Sequence, residues 1–174
     1  VGSKTSNGSE STGVIPLMKV VDAEMLAFSQ GVTRRGSYAS YLPISHPEIE
    51  EFLDVRKPTG GDINRKSTNL HHGVVISDSF MELIENATKH DGFDDSWDLI
   101  DPNSNRVIKT VSAKTLWVKL IQNRVETGEP YIMFGDTVQD ALPECQKDLG
   151  LKVHQSNLCL SLIHISEPTR LGFI

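Results

Sequence analysis

The sequence predicts an α/β domain with parallel strands, and three observations carry that prediction. Two short apolar runs, Gly73-Val74-Val75-Ile76 and Tyr131-Ile132-Met133-Phe134, have the length and continuity of strands buried on both faces. Before and between them lie stretches whose apolar residues recur every three or four positions, the mark of helices with one buried side. Helix start and stop residues separate the two kinds of segment, so strand and helix alternate as they do where crossover helices join parallel strands.

Taken in order, Lys4 to Gly13 holds only Lys, Thr, Ser, Asn, Gly and one Glu, and reads as a loop. Val14, Leu17, Met18, Val21, Met25 and Phe28 then predict a helix with those residues on its buried face, ending near Gln30-Gly31. Gly31 to Gly36 is a polar loop with two adjacent arginines, and Tyr38-Ala39-Ser40-Tyr41-Leu42 alternates as a strand does. Ser45-His46-Pro47-Glu48 combines a capping box with a first-turn proline, so a helix carrying Ile49, Phe52 and Leu53 is expected to about Arg56. Residues 57–69 are polar and precede the first buried strand.

Ser79-Phe80-Met81-Glu82 repeats the capping-box spacing, with Phe80, Leu83, Ile84 and Ala87 as the stripe of a further helix. Asp91 to Asn105 is acidic and turn-rich around Trp97. Ser112 can cap a long helix carrying Leu116, Trp117, Leu120, Ile121 and Val125, stopped by Gly128. After the second buried strand, Thr137 to Leu142 suits a helical turn.

The 174 residues, 38% hydrophobic and 23% charged, supply apolar material for one ordinary core. No apolar run approaches the roughly 18 to 20 residues of a membrane span, and no signal peptide opens the chain. The net charge is −6 with no basic stripe, which argues against DNA as a partner. Cys145 and Cys159 are too few for a disulfide framework or a four-thiolate zinc site, so a reducing cytoplasm is expected. The chain starts at Val1 and ends in an uncapped apolar stretch, the pattern of an incomplete protein.

Four groups of residues invite chemistry. Cys159 closes His154-Gln155-Ser156-Asn157-Leu158-Cys159; beside Leu158 it reads either as a small core residue or as a redox or radical thiol. If Asn157 and Cys159 lie on a strand, alternation puts them on one face. His71-His72 could suggest a metal, but neighbours on a strand point to opposite faces, which favours packing or hydrogen bonding. Asp91, Asp94, Asp95 and Asp98 lack a calcium-loop pattern and read as a solvated loop, and Cys145 sits in a polar connection.

Ser156-Asn157-Leu158-Cys159 resembles the active-site cysteine loop of the ribonucleotide reductase large subunit. Ser29-Gln30-Gly31, Arg34, Gly36 and the tyrosine strand ending at Pro43 resemble that family's specificity loop, about residues 29–37. His46-Pro47-Glu48-Ile49 with Phe52-Leu53, the 73–76 strand and Pro130 to Phe134 recur at the family's spacing, so residues 1–159 are covered.

The resemblance implies an incomplete fragment of the family's ten-stranded α/β barrel. It implies that Cys159 carries the thiyl radical that takes the 3′ hydrogen of a ribonucleotide, that Asn157 and Ser156 bind the substrate, and that Gln30, Arg34 and Gly36 belong to the effector-sensing loop. Lys4 to Ser11 would end a second effector-contacting loop. Implied partners are dNTP or ATP effectors, a radical-generating metal-containing small subunit, a thioredoxin- or glutaredoxin-type reductant and a second large subunit. No metal or cofactor is expected to bind this chain directly. Cobalamin-dependent reductases share the chemistry and use adenosylcobalamin instead, and a non-catalytic nucleotide-binding module is the rival from another class.

The sequence departs from the family at Ser161, where a glutamate serving in proton transfer is expected; a hydroxyl is a poor general base at neutral pH. Leu160 to Arg170 resembles the in-frame translation of a transposon-type sequencing adapter, so residues 160–174 read as a non-native tail. The chain is expected to lack activity on its own.

Overall fold

The computed structural model describes residues 4–30 and 34–157. Segment 4–13 is a loop closed by a bridge between Lys4 and Glu10. Helix α1 (Val14–Ala27) follows, and it buries Ile15, Met18 and Asp22. The expected buried stripe is therefore displaced by about one residue: Leu17 is 67% and Phe28 56% exposed. α1 is apolar on more than one side, so periodicity alone does not choose the side that meets the core. It ends three residues before Gln30, because Phe28 is already extended and the chain turns into a hairpin.

That hairpin pairs β1 (Ser29–Gln30) with β2 (Arg34–Arg35), antiparallel. Strand β3 (Ala39–Pro43) leads to α2 (Ile49–Leu53), which is shorter than expected and lacks the capping box. Ser45 does not cap it; the Glu48 N–H donates to His46 Nδ1 at 3.1 Å, and the Glu48 carboxylate reaches Val14 N–H instead. A 3-10 turn at Ile63–Arg65 precedes β4 (His71–Ile76). In α3 (Asp78–Lys89) the cap is Ser77, whose hydroxyl accepts from Phe80 N–H at 3.3 Å, rather than Ser79.

The stretch expected to be only acidic turns instead contributes β5 (Ser96–Ile100), which forms an antiparallel hairpin with β6 (Val107–Ser112). Helix α4 (Ala113–Thr127) runs as predicted between the Ser112 cap and left-handed Gly128, at φ 78°. Ser112 Oγ accepts from Thr115 N–H at 3.1 Å and donates to Asp95 Oδ2, which also accepts from Lys114 N–H. Ser112→Ala removes both bonds and is expected to lower stability by about 1 kcal/mol, read as a shift in the urea midpoint. Strand β7 (Tyr131–Phe134), α5 (Gly135–Asp140) and α6 (Glu144–Lys147) complete the described elements.

β3, β4 and β7 form a parallel sheet in the order β3-β4-β7, with β4 central. This is the α/β arrangement with parallel strands that was expected, as an open sheet. Strand alternation sends Val74 and Ile76 into a core with Ile44, Phe52, Phe80 and Leu120. Tyr131 and Met133 are also buried, at 7% and 4% exposure, but on the opposite face of the sheet. No helix among the described residues is long and apolar enough to cross a membrane.

Candidate functional site

The sheet register builds the site from its centre. Tyr41 pairs with Gly73, and Gly73 with Tyr131, so the three form one row across β3, β4 and β7. The Tyr41 ring fills the space above Gly73: a Cβ at Gly73 would overlap the ring, with even the ring's Cζ at 2.9 Å. Gly73→Ala is therefore expected to destabilise the chain by about 1–3 kcal/mol through overpacking. The cost should shrink in a Tyr41→Ala background, a coupling that urea unfolding of the two single variants and the double variant measures.

The Tyr41 hydroxyl is buried without an aligned hydrogen bond. Burial raises its pKa, Tyr131 adds to the rise, and the nearby Ser156 hydroxyl opposes it. Ser156 therefore sits over this face of the sheet. The segment carrying it is tied to α5, where the Gln139 side chain donates to Val153 C=O at 2.5 Å and accepts from Val153 N–H at 3.1 Å. Ser156 is half-buried and Asn157 exposed, both in irregular backbone, and the rest of the strand considered for 157–159 lies outside the described residues. Cys159, Ser161 and the 160–174 tail lie outside the described residues.

At the start of β4 and β7 stands Glu129, only 5% exposed. Its Oε1 meets His71 Nδ1, and its Oε2 accepts from the His72 backbone N–H at 2.8 Å. His72 Nδ1 also lies 3.2 Å from Oε2, too poorly aligned for a hydrogen bond, and Arg56 Nη1 is 3.7 Å from Oε1. Burial would raise the Glu129 pKa, but the bonds to His71 and His72 outweigh it and hold the carboxyl at about 2. Burial likewise holds His72 below its ordinary value, Glu129 opposing. The His71 ring stacks on Tyr131 with centroids 5.9 Å apart. Adjacent histidines thus share a carboxylate, the hydrogen-bonding outcome favoured over a metal.

The 29–37 loop is a hairpin rooted on the end of α1. Gln30 stands opposite Arg34 in its register, and residues 31–33 lie outside the described residues. Gly36 N–H donates to Phe28 C=O at 2.7 Å, and a Cβ at Gly36 would stand 2.7 Å from Met25 C=O, so only glycine fits this close approach. The expected site residues therefore fall into two groups, Gln30, Arg34 and Gly36 at the end of α1, and Ser156, beside Tyr41, with Asn157 next to it in sequence. Tyr41, Gly73 and Glu129 were not foreseen; the only hint was glycine within a buried strand, which marks a close approach.

The remaining candidates are structural. Asp94 binds Ser96, Asp95 caps α4 and Asp98 accepts from Thr110 Oγ1 at 2.6 Å, so the acidic stretch organises the hairpin. Cys145 is an exposed free thiol on α6. No group of three or more His, Cys, Asp or Glu side chains among the described residues is placed to hold a metal ion.

The model of the ribonucleotide reductase barrel domain matches residues 1–172. The chain is 49% identical over 150 residues to a putative ribonucleoside-diphosphate reductase large subunit of Frog virus 3, covering 86% of this chain and 25% of that protein. It is 48% identical over 161 residues to the ribonucleoside-diphosphate reductase large subunit of Invertebrate iridescent virus 6, covering 92% of this chain and 16% of the relative. Among solved structures, the class Id ribonucleotide reductase alpha subunit of Actinobacillus ureae superposes with a TM-score of 0.63 at 27% identity, over 89% of this chain and 23% of that one. The chain thus spans a quarter or less of each of these proteins. An open parallel α/β sheet and a match along nearly its whole length place the chain in the ribonucleotide reductase barrel-domain family.

Proposed function

We propose that the chain is a section of the catalytic barrel of a reductase that converts ribonucleoside diphosphates to 2′-deoxyribonucleotides. The observation that carries this reading is the near-full-length match to the barrel domain, with relatives whose names specify the diphosphate. Residues 1–159 then make up the native part. Residues 29–37 are its specificity loop and 154–159 its cysteine loop; residues 160–174 are read as foreign from their likeness to an adapter, although the family match runs on to residue 172.

In this reading Cys159 is the reacting residue. A partner subunit generates the radical, and the protein holds and shields it at the thiol. The thiyl radical takes hydrogen from the substrate ribose and later returns it. Asn157 has an amide that can both donate to and accept from a substrate hydroxyl. Ser156 lies beside Tyr41, which supports a loop seated against the sheet face opposite the core. Gln30 and Arg34 suit base and phosphate recognition, because an amide reads a base edge and a guanidinium stacks or pairs with phosphate. Nucleotide effectors, a thiol reductant and a second large subunit complete the assembly, in a cytoplasmic setting.

The test is the source DNA. Amplification across position 159 should give glutamate in place of Ser161, followed by the remainder of a reductase reading frame. The full-length protein, combined with a radical-generating small subunit and a thiol reductant, should reduce ribonucleoside diphosphates, whereas the 174-residue chain should not. An uninterrupted gene lacking that glutamate and further redox cysteines would overturn the reading in favour of a nucleotide-binding module. Activity that requires adenosylcobalamin would assign the chain to the cobalamin-dependent class.

A further inference from the structure

We propose that Glu48 is a positioning residue for the 29–37 loop, acting through α1 as a rigid link between that loop and the 4–13 segment. The inference rests on the reading of 29–37 as a specificity loop, and three observations carry it.

The first is the start of α1. Val14 N–H lies 3.1 and 3.2 Å from the two carboxylate oxygens of Glu48, a residue 34 positions along the chain. Gly13, at φ 92°, has no side-chain cap of its own, and a Cβ there would overlap the Glu48 carboxylate. The first N–H groups of a helix lack partners within it and carry partial positive charge, so a carboxylate at this position pins the helix end.

The second is what holds Glu48. It is 7% exposed, and its own N–H donates to His46 Nδ1 at 3.1 Å. Arg65 Nη2 stands 3.9 Å from Glu48 Oε1 and donates to Glu51 Oε2 at 2.7 Å, while Arg65 Nη1 reaches Thr12 C=O at 3.4 Å. The cap is thus fixed to α2 and to the 3-10 turn, and Arg65 also touches the segment just before α1.

The third is the far end of α1. The 29–37 loop returns to it at Gly36, whose N–H binds Phe28 C=O at 2.7 Å and which has no room for a side chain against Met25 C=O. A helix of 14 residues spans about 21 Å and moves as one body while its internal hydrogen bonds hold. The position of its pinned end therefore sets the position of the loop's root.

The experiment uses the full-length reductase carrying this segment and its Glu48→Gln and Arg65→Gln variants. Hydrogen exchange resolved to single amides should show Val14 and Gly36 both exchanging about fivefold faster in Glu48→Gln, with β4 and β7 amides unchanged. Effector-driven change in substrate preference should shrink several-fold, while turnover without effector stays within about twofold. If Glu48→Gln does not fold, Arg65→Gln should give the same changes at smaller amplitude. Faster exchange at Val14 alone, or an unaltered effector response despite faster exchange at both amides, would overturn the proposal. If effectors do not change substrate preference even in the unsubstituted enzyme, the specificity-loop reading fails instead, and the exchange result still decides whether Glu48 positions residue 36.

Discussion

Glu129→Ala is expected to unfold much of the chain at neutral pH. The carboxylate is buried and is the common partner of the His71 ring, the His72 backbone N–H and, at 3.7 Å, Arg56. Removing one side of such an arrangement leaves buried polar groups unpaired, at a cost of about 3–5 kcal/mol. Natural domains have only about 5–15 kcal/mol in hand, and an open sheet sits toward the low end of that range. Glu129→Gln keeps an acceptor for the His72 N–H and should lose less. Urea unfolding followed by circular dichroism at pH 7 checks the order: unsubstituted chain, then Gln, then Ala.

The same carboxylate fixes a pH dependence. Its pKa is about 2 in the folded chain against 4.5 ordinarily, so its contribution is complete above about 4.5 and is lost as pH falls from there toward 2. His72 and His46 are both held below 6.5, chiefly by burial. The unfolded chain therefore takes up their protons first, and their contribution declines as pH falls below about 6.5. His46 has a specific reason, since its Nδ1 accepts the Glu48 N–H and cannot do so once protonated. The urea midpoint should fall in two stages on acidification, and Glu129→Gln should shrink the lower stage, to which other carboxylates held low, such as Asp54, also contribute.

On the proposed function, the largest effect on activity is expected from Cys159→Ser in the full-length protein, with nucleotide reduction falling to the assay background. Serine is close to cysteine in size, so packing changes little, but its O–H hydrogen is held far more tightly than a thiol hydrogen. The hydroxyl neither accepts the radical from its generator nor exchanges hydrogen with the ribose. Substrate binding should persist in the variant, measured as retained affinity for the diphosphate. A variant with measurable turnover would exclude Cys159 as the reacting thiol.

Elements whose signals are local were legible in the sequence. α4 carries its start and stop in its own residues, Ser112 and Gly128, and both act as expected. The two apolar runs became the adjacent strands β4 and β7 for the same reason. The capping box at Ser45 failed because its fourth residue, Glu48, binds the start of a helix far away in sequence. The β5–β6 hairpin was illegible because polar pairs such as Asp98 with Thr110 and Ser96 with Ser112 interrupt its apolar ones, and Leu99 is the one fully buried residue of β5. At the candidate site, Ser156, Asn157 and Cys159 came from a motif. Tyr41, Gly73 and Glu129 matter only through a register that no local pattern encodes.

The order β3-β4-β7 has a kinetic consequence. Ser40 must find His72, and Gly73 must find Tyr131, before the sheet exists, and each pairing closes a long stretch of chain. Loop closure on that scale is an entropic cost met before any contact repays it, and folds dominated by such contacts are slow to form. α3, α4 and the β5–β6 hairpin need only near neighbours in sequence and can form early. The rate at which the chain folds is then set by the search of the central strand for its two partners, so substitutions in β4 should slow folding more than equally destabilising ones in α3.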